Sequence, residues 1–116
     1  MSVRFITKDI HAVLDYPVAI VLITAPFLLA LGGSHHFAFW LSVYTGVAAL
    51  VLTIFTDHSL GVIRVLPYKF HLLVDFLVGV AFVVTPFLFN FSGLDAWFYW
   101  GNGTAVLCVV NLHKPQ

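Results

Sequence analysis

Polar positions gather in five short stretches of the chain: residues 1–9, 32–36, 56–69, 90–95 and 113–116. Four apolar runs lie between them, near the roughly 20 residues that a helix needs to cross a hydrocarbon core. The first extends from about Ile10 to Leu31, with Thr7 or Asp9 placed to cap it. Phe37 to Phe55 is the second. Pro67, suited to a first helical turn, opens a third that continues to about Phe89, and Trp97 to about Leu112 is the fourth. Pro17 and Pro26 fall inside the first run, where each removes a backbone hydrogen bond and predicts a kink that a neighbour must satisfy. Gly32-Gly33-Ser34-His35-His36 and Asn90 to Asp95 read as turns. The pattern predicts an all-α integral membrane four-helix bundle.

The third run repeats the first. HAVLDYPVAIVLITAPFL, His11 to Leu28, returns sixty residues later as HLLVDFLVGVAFVVTPFL, His71 to Leu88. The pairs His11/His71, Asp15/Asp75, Val18/Val78, Pro26/Pro86, Phe27/Phe87 and Leu28/Leu88 keep one offset, and Gly33/Gly93 and Trp40/Trp100 extend it. A period carried by polar and helix-bending residues alike marks a duplicated unit. Within one transmembrane domain over residues 1–116, the first repeat spans about 10–56 and the second about 67–113. An even number of spans per unit makes the two copies parallel, related by a pseudo-twofold axis along the membrane normal.

Composition removes the soluble alternative. The chain is 61% hydrophobic and 9% charged, with mean hydropathy +1.03; soluble domains carry about 25% charged residues. A 116-residue soluble domain could not hide that much apolar surface. With zero net charge, no basic run and no glycine-rich phosphate loop, nucleic-acid and nucleotide chemistry have no support. Arg4 and Lys8 before an apolar run resemble the start of a signal peptide, but the run is long and recurs as a later span, so it is expected to be retained. All five basic residues, Arg4, Lys8, Arg64, Lys69 and Lys114, lie on the side of the chain ends and the middle loop. The positive-inside bias therefore places both ends in the cytoplasm. Phe39/Trp40 and Trp97/Phe98/Tyr99/Trp100 then form an outer aromatic belt, and Tyr16 and Tyr68 an inner one.

Two consecutive two-helix units, each with a proline-centred tripeptide in its first helix, resemble the SPW-repeat family of small bacterial integral membrane proteins. The tripeptides are Ala25-Pro26-Phe27 and Thr85-Pro86-Phe87; proline is kept, Ala or Thr stands for Ser, and Phe for Trp. The resemblance covers about residues 10–113. It implies the architecture and a bacterial inner membrane, and it brings no biochemical activity with it.

The repeat also places the candidate chemistry. Asp15 and Asp75 follow His11 and His71 by four residues, on the same helix face and one turn deeper. Two histidines and two carboxylates can thus face each other near the cytoplasmic side, with Asp57, His58, Arg64 and Lys69 as a supporting polar cluster. A carboxylate in a span costs about 2.5–3.5 kcal/mol near the bilayer centre, so it is paired or functional.

Four readings stay open. The histidines can ligate a metal or form axial ligands of a b-type haem, with the aspartates beside them. The aspartates can serve a proton or ion path, although Ala19–Thr24 and Gly79–Val84 continue no polar line. The polar ring can hold a lipid or other small amphiphile. Or each Asp can accept from the other unit's His, or from Arg64 and Lys69, and lock the first and third helices in register. That structural role leads, in a non-enzymatic structural or partner-binding module with self-association as one partner mode. Small residues Gly46/Ala49, Gly79 and Gly101-Asn102-Gly103-Thr104-Ala105 allow close helix packing. His35-His36 is expected to be solvated, and Cys108, deep in an apolar run, inert. No nucleophile arrangement is evident, so catalysis is not expected.

Overall fold

A computed structural model describes residues 6–56 and 61–112, with Lys8 described by its backbone alone. Among the described residues four helices follow one another: α1 (Lys8–Leu28), α2 (His36–Phe55), α3 (Tyr68–Leu88) and α4 (Gly93–Asn111). The backbones pair as two hairpins, α1 against α2 and α3 against α4. Among the described residues, three helical segments are long and apolar enough to cross a membrane: Asp9–Leu28, His36–Phe55 and Tyr68–Leu88. At 1.5 Å per residue, a 21-residue helix spans about 31 Å, the thickness of a hydrocarbon core. α4 has 19 residues and is interrupted by Asp95, Asn102 and three glycines, which is why its apolar character is weaker. It also begins earlier than its hydropathy suggests, so Gly93–Asp95 is helix rather than turn.

The helix ends show how orphan backbone groups are met. Thr7 caps α1 by accepting from the Ile10 N–H at 3.2 Å. α1 and α3 end alike. Ala30 (φ 52°) and Asn90 (φ 55°) are left-handed, and the N–H groups of Leu31 and Phe91 bond back to the carbonyls of Pro26 and Pro86. The middle loop caps α2, because the N–H groups of Val62 and Ile63 reach Ile54 O and those of Val65 and Leu66 reach Phe55 O.

The assigned helix α1 runs unbroken through Pro17 and Pro26, and α3 through Pro86. Pro26 has no N–H for the carbonyl of Leu22, four residues back. The fully buried Ser42 hydroxyl of α2 donates to that carbonyl at 2.7 Å. A lipid-embedded acceptor is thereby satisfied by the neighbouring helix.

Each hairpin closes through a glycine. A Cβ on Gly46 would stand 2.9 Å from Ala19 O, and one on Gly103 2.9 Å from Gly79 O. Ala19 and Gly79 are sixty residues apart, but Gly46 and Gly103 are fifty-seven apart. The difference is the turn: residues 29–35 join the first hairpin and only 89–92 the second. The buried pairs Ser42/Tyr99 and Ala38/Asp95 share this offset of fifty-seven. The sequence register through Gly33/Gly93 and Trp40/Trp100 therefore does not persist in the second helices. Trp40 is matched in place by exposed Trp97, whereas half-buried Trp100 donates from Nε1 to Val83 O at 3.1 Å.

Between the hairpins, Leu22, Phe82, Phe91, Phe98 and Tyr99 form the apolar core, with Phe82 stacked on Tyr99 at 4.5 Å. The Tyr99 hydroxyl crosses to the other hairpin and donates to Ala38 O at 2.7 Å. Elsewhere, Cys108 and Gly101 lie on the outward face of α4.

Close packing at Gly46 and open space at Gly101 make opposite demands. Gly46→Ala is expected to lower the melting temperature in detergent, because rigid backbone at 2.9 Å must give way. Gly101→Ala, with nothing within 4 Å of its added carbon, is expected to keep or raise it.

Candidate functional site

The sequence period delivers its four polar residues to one place. His11 and His71 are each the fourth residue of their helix and Asp15 and Asp75 each the eighth, so the four hold matching positions along α1 and α3. Both histidines are 1% exposed. His11 Nε2 stands 3.0 Å from Asp15 Oδ1 and 2.8 Å from Asp75 Oδ2. His71 Nε2 stands 3.2 Å from Asp15 Oδ2 and 3.2 Å from Asp75 Oδ2. Each histidine therefore touches the carboxylate of its own helix and that of the other. With protonated rings and ionised carboxylates the four formal charges sum to zero, a condition for burying such a group in a bundle.

Three further residues build the surroundings. Thr56, fully buried at the end of α2, gives its single hydroxyl proton to Leu52 O at 2.6 Å. Its oxygen can then only accept from His71 Nδ1, 2.7 Å away, and this fixes the proton on Nδ1 and aims Nε2 at the carboxylates. Tyr68, read from sequence as an interfacial aromatic, is instead buried over the rings. It lies near-parallel to His71 at 6.2 Å and edge-on to His11 at 5.8 Å. The two imidazoles are themselves edge-to-face, with centroids 5.6 Å apart.

Two residues of the supporting cluster anticipated from sequence, Arg64 and Lys69, fall among the described residues. Arg64 and Lys69 are exposed, and Arg64 Nε donates to Gly61 O at 3.1 Å. The carboxylates take their contacts from both histidines rather than from these cations. Asp57 and His58 lie outside the described residues.

Beside the ring is a cavity of about 200 Å³. All four helices line it: His11, Asp15, His71 and Asp75 at the polar end, with Val18, Ala49, Val106 and Val109 among the apolar walls. A cavity of about 150 Å³ holds a benzene-sized molecule, whereas drug-sized ligands take about 300–1,000 Å³. The enclosed part of this space matches a small molecule and is less than a whole haem or lipid chain fills. A haem also meets steric opposition at the histidines, because carboxylate oxygens already stand at both Nε2 atoms.

A second polar fastening, absent from the sequence reading, closes the other end. Asp95, 3% exposed in the first turn of α4, accepts from the backbone N–H of Gly32 (2.8 Å) and Ser34 (2.9 Å) and from the Ser34 hydroxyl (2.6 Å). The Ser92 N–H donates in turn to Ser34 Oγ at 3.1 Å. Burial works against the charge of Asp95. The Ser34 hydroxyl and the N–H groups of Gly32, Ser34 and His35 outweigh it and hold this carboxyl below its ordinary range. His35 belongs to the same end, accepting from the Phe37 N–H at 3.0 Å and stacking on His36 at 4.9 Å.

The depressed carboxyl of Asp95 sets a sign for pH dependence. Its stabilisation is present above the ordinary carboxylate value near 4 and is lost as pH falls through the lower folded value. Asp95→Asn, which turns an amide donor toward N–H groups, is expected to cost about 2 kcal/mol at neutral pH. Melting curves of the two proteins in detergent should converge as pH is lowered below about 4.

A family model, the SPW repeat domain, matches residues 9–112. No curated protein and no solved structure matches the chain. The tripeptides Ala25-Pro26-Phe27 and Thr85-Pro86-Phe87 occupy the far ends of α1 and α3 from the His/Asp ring. In both, the first two residues are buried and the phenylalanine is exposed. The chain belongs to the SPW repeat family, as a small membrane protein.

Proposed function

We propose that this chain is a non-enzymatic structural or partner-binding module of the bacterial inner membrane, whose two hairpins are locked by the His11/Asp15/His71/Asp75 clasp. One observation carries the reading: all four Nε2-to-carboxylate distances, between 2.8 and 3.2 Å, close within the ring itself. Such reciprocity fixes register between α1 and α3. The weaker apolarity of α4 is consistent with a fourth span packed along α3, and the matched glycine contacts support two copies of one unit, about 10–56 and 67–113. A rigid four-span body of this kind leaves its outward helix faces for lipid, a second copy or a larger membrane complex.

Two measurements test the proposal. Removing one partner of a buried ion pair strands the other, at a cost of about 3 kcal/mol. Asp15→Asn and Asp75→Asn are each expected to lower the melting temperature of metal-free protein in detergent; unchanged melting in both would refute the lock. The five-to-none distribution of basic residues supports cytoplasmic ends. A reporter fused after Gln116 should then behave as cytoplasmic, and a periplasmic signal would reverse the orientation.

A further inference from the structure

The clasp has the atoms of a metal centre as well as those of a lock. His11, Asp15, His71 and Asp75 each offer one ligand atom, and these lie within 4.8 Å of one another, the one such convergence of three or more ligand-bearing side chains among the described residues. Neighbouring donors around a tetrahedral ion with bonds of about 2.0–2.1 Å stand roughly 3.3–3.4 Å apart. The nitrogen-to-oxygen separations here, which use both oxygens of Asp15, are 2.8–3.2 Å, and one ligand atom from each of the four side chains lies within 4.8 Å of the others, so the short edges must open and the wider spans close for all four to hold one ion.

Charge and chemistry agree with the geometry. Two carboxylates supply the two negative charges that a dication needs in a low-dielectric bundle. Two imidazole nitrogens with two carboxylate oxygens suit first-row divalent ions such as Zn²⁺; Ca²⁺ and Mg²⁺ favour six or more oxygen ligands. The contact between His71 Nδ1 and Thr56 is the outer-shell hydrogen bond that orients a ligating histidine, at 2.7 Å. The neighbouring cavity, which touches all four side chains, gives an ion a route in and room for a further small ligand.

We propose that His11, Asp15, His71 and Asp75 form a buried binding site for one first-row divalent metal ion, with Thr56 as the positioning residue for His71. The inference rests on the clasp reading, since the same four side chains must already be gathered. Metal binding replaces the ring protons at Nε2 with the ion, so the lock and the metal centre are two states of one set of atoms.

Tag-free protein, purified in detergent and stripped with chelator, is titrated with Co²⁺ and followed by visible absorption. The expected result is intense ligand-field bands of a four- or five-coordinate ion, saturating at one equivalent per chain and displaced by Zn²⁺. Thr56→Val keeps all four ligands and is expected to weaken Co²⁺ binding about 10–100-fold. Asp75→Asn, checked as folded by circular dichroism, should abolish or reshape the bands, while replacing both His35 and His36 should leave them intact. Absent bands, only the weak bands of a hydrated ion, or bands lost on replacing His35 and His36 would overturn the proposal. Absent bands together with a melting temperature lowered by Asp15→Asn would overturn the metal site and leave the lock standing.

Discussion

Two carboxylates inside an apolar bundle impose the constraint on which the molecule depends. Neither Asp15 nor Asp75 has the water around it that a surface carboxylate has, because the side chains are 12% and 18% exposed and their histidine partners are almost fully buried. The histidine of the same helix meets only part of the demand. The rest is met across the molecule, by the histidine of the other hairpin. Since the hairpin backbones pair mainly within themselves, this exchange of partners, the Asp95 staple at the opposite end and the Tyr99 hydroxyl on Ala38 O determine how the halves sit together. The apolar core between them, around Leu22, Phe82 and Tyr99, supplies burial without direction; the polar contacts supply register.

Within each hairpin a different economy holds. Lipid offers little hydrophobic drive for one apolar helix to leave it for another, so close backbone approach and hydrogen bonding carry the association. Gly46 and Gly103 bring a carbonyl of the facing helix to within a methyl's reach, and Ser42 meets the carbonyl that Pro26 leaves open. The proline of the family tripeptide is thus compatible with an unbroken helix because the partner helix carries the missing donor.

The helices, their order and the His/Asp ring were legible in the sequence, because a sixty-residue period carried polar residues at fixed helical spacing. What stayed hidden depends on contacts between positions that no local pattern links. Asp95 looked like a turn residue since Gly93 and Leu94 precede it, yet the turn ends at Ser92 and Asp95 serves the other hairpin. Thr56 stood at the edge of a polar loop, and its role needs His71, fifteen residues on, folded against it. The offset of fifty-seven between α2 and α4 was masked by chance matches such as Trp40 with Trp100. One cue was present: Gly46/Gly103 and Trp40/Trp97 keep that spacing in the bare sequence. Arg64 and Lys69 were grouped with the ring by loop position alone, and charge in a loop does not specify which way a long side chain turns.

The shorter second turn has a consequence for how the molecule presents itself. Residues 29–35 are long enough to fold over the start of α4 and offer Asp95 their N–H groups, while 89–92 returns no equivalent to α2, where Ala38 holds the matching place. A bilayer is isotropic in its plane and gives an embedded protein no compass. Two identical hairpins would look the same to a neighbour arriving from either side. Three missing residues break that degeneracy and give the molecule a front and a back, so that a neighbour in the membrane can tell one flank from the other.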